Sequence, residues 1–259
     1  PKEREWLVDG CFAPGTVVML SGDGGLGKSL LMLQLQVSAA LSRPWLGLDT
    51  KPARSFGYYC EDDEDELHRR VHDIVGREGA EMGDIGEHVS MVSRVGADDN
   101  VLVAADRHGN VLPTVIYDQV FNHAVNFGAQ IVILDTLADI FDGNEIQRSV
   151  ARKCITILRK LAVRIQGCVI VTAHPSLTGM NTGTGLSGST GWNGAVRQRL
   201  YLTRVKPDND EEEQSDERVL KTMKNNYGPD GGRIRLKWER GVFVRVDGQG
   251  RPSGLIDRL

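Results

Sequence analysis

The stretch Gly22-Asp23-Gly24-Gly25-Leu26-Gly27-Lys28-Ser29 spaces its glycines, lysine and hydroxyl as a phosphate-wrapping loop requires, in the pattern G-x-x-x-x-G-K-[ST]. Glycines let the backbone close round a phosphate and turn successive N–H groups inward. The N-terminus of a following helix adds partial positive charge. In this chemistry Lys28 reaches the β and γ phosphates of ATP and the Ser29 hydroxyl ligates Mg²⁺. The expected nucleotide contacts are Gly22, Asp23, Gly24, Gly25, Leu26, Gly27, Lys28, Ser29 and Leu30. A glycine-rich turn that matched by chance would lack the apolar run Thr16–Ser21 before it and the amphipathic segment after it.

A phosphate loop also needs a carboxylate at a neighbouring strand end to hold the Mg²⁺ shell. Gln130–Asp135 is an apolar run ending in an acid, so Asp135 is the expected partner of Ser29, although a lone Asp there could be only a helix cap. Hydrolysis further needs a group that orients and deprotonates water. Glu61 follows the run Ser55–Cys60 directly and is preferred to Asp62, while the rest of Glu61–Glu66 reads as the acidic first turn of a helix. His174, after Cys168–Ala173, is placed to sense the γ-phosphate, or is an ordinary polar residue at a strand end.

Farther along, Ser176–Gly194 is rich in glycine and holds no Lys or Arg, the composition of a loop that moves or binds. Its polar contacts would come from backbone N–H groups or side chains such as Asn181 and Thr182. A helix-like segment carrying Arg197 and Arg199 follows, and Lys224 closes the run Val219–Lys224 before the turn Asn225–Gly228. A cation after the last core strands is badly sited for its own nucleotide and could serve a neighbour's; alternatively each is a surface charge.

These groups require strands and helices that bring them to one edge. The runs Thr16–Ser21, Ser55–Cys60, Val89–Ser93, Gln130–Asp135 and Cys168–Ala173 read as strands. Leu30, Leu33, Val37 and Leu41, and later Val150, Cys154, Leu158, Leu161 and Ile165, recur at helical spacing. Alternation of the two implies a mostly parallel sheet with helices on both faces. Leu200–Val205, Val219–Lys224, Arg233–Trp238 and Val242–Val246 follow one another across turn residues, so antiparallel strands should close the C-terminal end. Asp208–Glu217, all polar and mostly acidic, reads as a solvated loop.

At 259 residues the chain suits one such domain, expected over 1–246, with 247–259 as a tail. A net charge of −4 excludes a generally basic nucleic-acid binder, so any such contact must be local. One local candidate is Gly143–Lys153, where Arg148, Arg152 and Lys153 recur at helical spacing; a solvated helix face is the alternative. The four cysteines have no paired spacing and read as reduced thiols, and no run spans a membrane, which together suggest the cytoplasm.

Taken together, Glu5–Val8, Ser21–Ser29, Tyr59-Cys60-Glu61-Asp62, Ile133-Leu134-Asp135-Thr136, Thr172-Ala173-His174-Pro175, Gly188-Ser189-Thr190 and Lys224-Asn225-Asn226-Tyr227-Gly228 resemble the RepA-like branch of RecA-type ATPases. The resemblance runs from about Trp6 to Val246 and implies a RecA-like three-layer α/β domain. It also implies a homohexamer with ATP and Mg²⁺ between subunits and single-stranded DNA in a central channel. By position Glu61 matches the catalytic glutamate, Asp135 the Mg²⁺-linked aspartate, His174 the γ-phosphate sensor, Arg197 the arginine finger and Lys224 the finger lysine. Ser176–Gly194 then corresponds to the DNA-contacting loop. One departure is Asn226, where related DnaB-type helicases carry an arginine. The activity implied is helicase-like ATP hydrolysis. A regulator or loader of replication or recombination, working through a protein partner and unwinding nothing itself, is the alternative. A small-molecule kinase is weaker, because no arginine lid or acceptor pocket is legible.

Overall fold

The computed structural model describes residues 3–176, 179, 190–205 and 216–246. Most of Ser176–Gly194, including Asn181 and Thr182, most of Asp208–Glu217 and the tail 247–259 lie outside the described residues.

Strand β1 (Thr16–Gly22) is buried along its whole length. Its side chains alternate between two cores: Val18 and Leu20 enter one, Val17 and Met19 the other. β6 (Ile131–Asp135) and β8 (Cys168–Ala173) split in the same way, as strands covered on both faces must. With β2 (Ser55–Tyr59), β3 (Val89–Ser93) and β9 (Gln198–Arg204) they form a parallel set in the order β9-β1-β8-β6-β2-β3. β10 (Glu217–Asn225), β11 (Arg233–Glu239) and β12 (Val242–Arg245) extend the β9 edge as antiparallel neighbours, giving nine strands in all. The expected antiparallel end is therefore present.

Helix α1 (Lys28–Ala40) and α2 (Glu64–Arg77) cover one face; α4 (Val115–Phe127) and α6 (Arg148–Arg164) cover the other. Local chemistry sets their ends. Asp63 caps α2 by accepting from the Glu66 N–H at 2.7 Å, and Glu64, Asp65 and Glu66 fill the first turn. Thr114 caps α4 and Gly128 ends it at φ 74°. Short helices α3 (Met82–Ile85), α5 (Leu137–Ile140) and α7 (Thr190–Ala195) complete the set. A small sheet of β5 (Val111–Pro113), β4 (Val103–Ala105) and β7 (Phe141–Asp142) lies apart. All four cysteines are free thiols. No helix among the described residues is long and apolar enough to cross a membrane.

One expectation needs correction. The helix-like reading of Arg197 and Arg199 fails: α7 ends at Ala195 and β9 starts at Gln198, so Arg199 is a buried strand residue. Helix α4 and the small sheet were not anticipated. Within Gly143–Lys153, only the part from Arg148 onward is helical.

The join between α6 and β8 leaves no room for a side chain at Gly167. Its N–H reaches the Ala162 carbonyl at 3.0 Å, its carbonyl accepts from Gly15, and an added Cβ would fall on the backbone carbonyl of Gln130. Gly167→Ala should therefore lower stability by about 3 kcal/mol, at the upper end for single substitutions. A urea midpoint equal to that of the parent protein would contradict this packing.

Candidate active site

β1 ends at Gly22 and α1 begins at Lys28, so the phosphate-binding sequence is the turn between the central strand and the first helix. That turn lies at the carboxyl end of the parallel strands, where open α/β sheets bind ligands. Gly25 and Gly27 hold φ of 67° and 93°, values a residue with a Cβ resists. Space around Gly24 and Gly25 is open, whereas a Cβ on Gly27 would meet the Phe243 ring at 2.6 Å. Leu26 and Leu30 point into the core and anchor the loop from below.

Lys28 is only 5% exposed. Its Nζ donates to the carbonyls of Gly22 at 2.8 Å and Asp23 at 3.1 Å, and meets His174 Nδ1 at 3.4 Å. Burial pulls the ammonium below its ordinary range, against the attraction of Asp135, Glu61 and Asp23. Because an ammonium only donates, His174 Nδ1 accepts from Lys28, which leaves Nε2 to carry the proton. Nε2 then donates to Glu61 Oε1 at 3.3 Å. Lys28, His174 and Glu61 thus form one line of contacts from the loop to the end of β2. Asp62, the alternative to Glu61, is instead held by Arg70 at 2.6 Å.

Asp135 ends β6 and is 1% exposed. Desolvation raises its carboxyl above the ordinary carboxylate range, although hydrogen bonds from Ser29 and Thr172 oppose the shift. Thr172 Oγ1 donates to Oδ1, while Oδ2 is buried with no hydrogen-bond partner among the described residues. A buried acceptor left open is costly, and a divalent cation beside Ser29 would satisfy it. No group of three His, Cys, Asp or Glu among the described residues could hold a metal alone. Ser29 and Asp135 would therefore supply only part of the shell, as suits Mg²⁺ completed by phosphate oxygens and water.

The loop opens into a cleft of about 780 Å³, within the range of small-molecule sites. Its far wall was not foreseen: Arg69, Arg70 and Asp73 of α2 face Arg218, Trp238, Gly241 and Phe243 of the C-terminal strands. Gln34 in α1 fixes that wall by bonding both the N–H and the carbonyl of Phe243, at 2.9 and 3.0 Å. The one sequence signal for this contact was Gly27 itself, whose missing Cβ admits the ring.

Two expected residues are not brought into this cleft. β9 runs parallel to β1 with Val18 opposite Gln198 and Gly22 opposite Leu202. Arg197 therefore sits beside Val17, about 16 Å of strand away from Gly22 at some 3.3 Å per residue. Lys224 is at the same end, its Nζ donating to the carbonyls of Asn193 at 2.6 Å and Val196 at 2.8 Å. Burial lowers its ammonium's pKa, and Arg197 and Arg199 add repulsion. Arg197 is exposed, while Arg199 is buried with Nε on Asn193 Oδ1 at 3.0 Å.

The model of the AAA domain family matches residues 1–180. Among solved structures the chain resembles the RadB recombinase, with a TM-score of 0.61 at 14% identity, over 91% of this chain and 93% of that one. No curated protein matches the sequence.

The raised Asp135 carboxyl fixes the sign of a pH effect. Over the window from the ordinary carboxylate value up to the raised one, the folded chain keeps a proton that the unfolded chain has lost. Stability therefore falls as pH rises through that window. Asp135→Asn, assayed without nucleotide or Mg²⁺ at neutral pH, should melt higher by about 2–4 °C for each kcal/mol recovered. The gap should close as pH falls to the ordinary carboxylate range. A lower melting temperature than the parent's at neutral pH would refute this account.

Proposed function

This chain belongs to the AAA domain family and is a RecA-type P-loop ATPase; from that premise we propose that it is a ring-forming, helicase-like motor on single-stranded DNA. The observation that carries the proposal is the placement of Arg197 and Lys224 at the end of the sheet opposite the phosphate loop. The nucleotide half-site lies at the carboxyl ends of β1, β2, β6 and β8, while Arg197 and Lys224 lie at the opposite end of β9 and β10. An arginine side chain cannot bridge that span, so a role for these cations in hydrolysis requires the nucleotide of an adjacent subunit.

In this reading Gly22–Leu30 holds the triphosphate through backbone N–H groups and Lys28. Ser29 and Asp135 would hold Mg²⁺, which when bound would neutralise phosphate charge. Glu61 accepts a proton from the attacking water, and its carboxylate is aimed by the His174 N–H. Lys28 must leave the Gly22 and Asp23 carbonyls to meet phosphate, which also frees His174 to report on the γ position. Arg197 and Lys224 of one subunit complete the site of the next, as in the hexamer that the RepA-like resemblance implies. The fold shared with a recombinase agrees with DNA as the working partner. We place this activity in the cytoplasm, which suits four free thiols.

The rival, a nucleotide-switched regulator or loader with no unwinding activity, shares the same hydrolytic half-site. The ATPase rate with and without single-stranded DNA separates them, because the motor requires stimulation and indifference to DNA would favour the regulator. Arg197→Ala should leave nucleotide affinity near that of the parent and lower turnover by about 10³ or more, the range of other fingers. Mixed with Glu61→Gln subunits it should recover activity, since each variant spoils a different side of one interface. An assembled but inactive mixture would count against a shared site.

A further inference from the structure

Helix α6 concentrates positive charge in a chain that is acidic overall. Its seventeen residues hold six cations and no Asp or Glu, against a net charge of −4 for the protein. Arg148, Arg152, Lys153, Lys160 and Arg164 are exposed; only Arg159 turns inward, donating to the Ala195 carbonyl at 3.1 Å. At about 1.5 Å per residue the row is roughly 25 Å long.

Helix α2, on the other face of the sheet, is the useful contrast, because Arg69 and Arg70 there are neutralised by Glu66 and Asp62. None of the exposed α6 cations forms an ion pair among the described residues. Lys153 donates to the Gly109 carbonyl at 3.1 Å. Asp106, in the same turn, is engaged by Asn110 and by backbone N–H groups. Like charges at Arg148 and Arg152, and at Lys160 and Arg164, lie four residues apart, a spacing that costs helix stability. Among the described residues no ion pair offsets that repulsion, which the burial of the helix's apolar side outweighs.

The chemistry of the face selects the partner. Its apolar side is already buried in the core, so it cannot insert into a bilayer. It has no exposed aromatic anchor of the kind protein interfaces use, Val163 being its single exposed apolar side chain. A row of arginines and lysines flanking the Thr156 hydroxyl fits regularly spaced phosphodiesters. Its location agrees. α6 lies against α7, Trp192 Nε1 donates to the Glu145 carbonyl at 3.1 Å, and the Trp192 ring meets Phe141 edge-on. The cationic row therefore flanks the helix in which the glycine-rich segment ends.

We propose that the exposed face of α6, from Arg148 to Arg164, is a sequence-independent docking surface for the phosphate backbone of nucleic acid. This rests on the DNA reading above and supplies the charge that Ser176–Gly194 lacks. The probe is a fluorescent oligodeoxythymidylate, titrated with the full chain over a series of salt concentrations. Arg152→Ala/Lys160→Ala removes two contacts while keeping a strong helix former at each position. The slope of log affinity against log salt should drop by about 1.4, at 0.7 per phosphate on single strands. Affinity at low salt should fall about tenfold, while the control pair Lys51→Ala/Arg77→Ala binds as the parent does. Unchanged affinity and slope in the α6 variant would overturn the proposal, as would a parent protein that binds no DNA. Competition by polyglutamate at equal charge as effective as by DNA would reassign the face to an acidic protein. DNA binding through α6 without stimulation of ATP hydrolysis would sink the motor and spare this surface. Stimulation with unaltered binding in the variant would do the reverse.

Discussion

The organisation of this molecule turns on holding a lysine ammonium and a carboxylate almost out of water at the end of a parallel sheet. Lys28 and Asp135 are both nearly inaccessible, and burial pushes each toward its neutral form. Such groups persist only where partners are fixed in advance. The fixing comes from register: Tyr59 lies opposite Asp135 and Leu20 opposite Thr172. Strand ends that match within a residue bring Gly22, Glu61, Asp135 and His174 to one rim. The two apolar cores exist on either side of that sheet so that its interior strands stay dry and straight enough to keep the rim aligned.

Much of this was legible because the decisive signals are local. A strand–glycine loop–helix sequence needs no tertiary knowledge, and runs such as Ile131–Asp135 identify themselves by their unbroken apolar character. The antiparallel end was readable from turn residues. What escaped was non-local or weakly patterned. Gln34 and Phe243 are 209 positions apart, and no spacing rule links an amide in a helix to the backbone of a late strand. β4, β5 and β7 are two or three residues long, too short for alternation to register. Arg199 misled because a charged residue in a buried strand defies the usual pattern; its guanidinium is tolerated through Asn193. Glu61 and Asp62 are neighbours that sequence could only rank by position. The contact with Arg70 separates them by giving Asp62 a different partner.

The two ends of the sheet are mechanically continuous. β10 carries Arg218 into the nucleotide cleft and, six residues on, holds Lys224 at the far end. Across a bulge between Thr222 and Lys224 it is bonded along its length to β9, which is itself bonded to the strand that ends in the phosphate loop. Lys224 in turn grips the carbonyl end of α7. The far wall of the cleft, fixed to α1 through Gln34, and the cation at the other end of β10 are thus parts of one bonded sheet.

The same continuity reaches α7, on which cationic elements converge from two sides. α7 is tied on one side to Lys224 and on the other to α6 through Arg159, and to the turn before α6 through the Trp192 contact with Glu145. Held between a cationic helix and a cationic strand end, α7 sits in positive potential although it carries no charge itself. A cation within it would face repulsion from Lys224 on one side and Arg159 on the other, so the positive charge is borne by the elements that flank α7 rather than by α7.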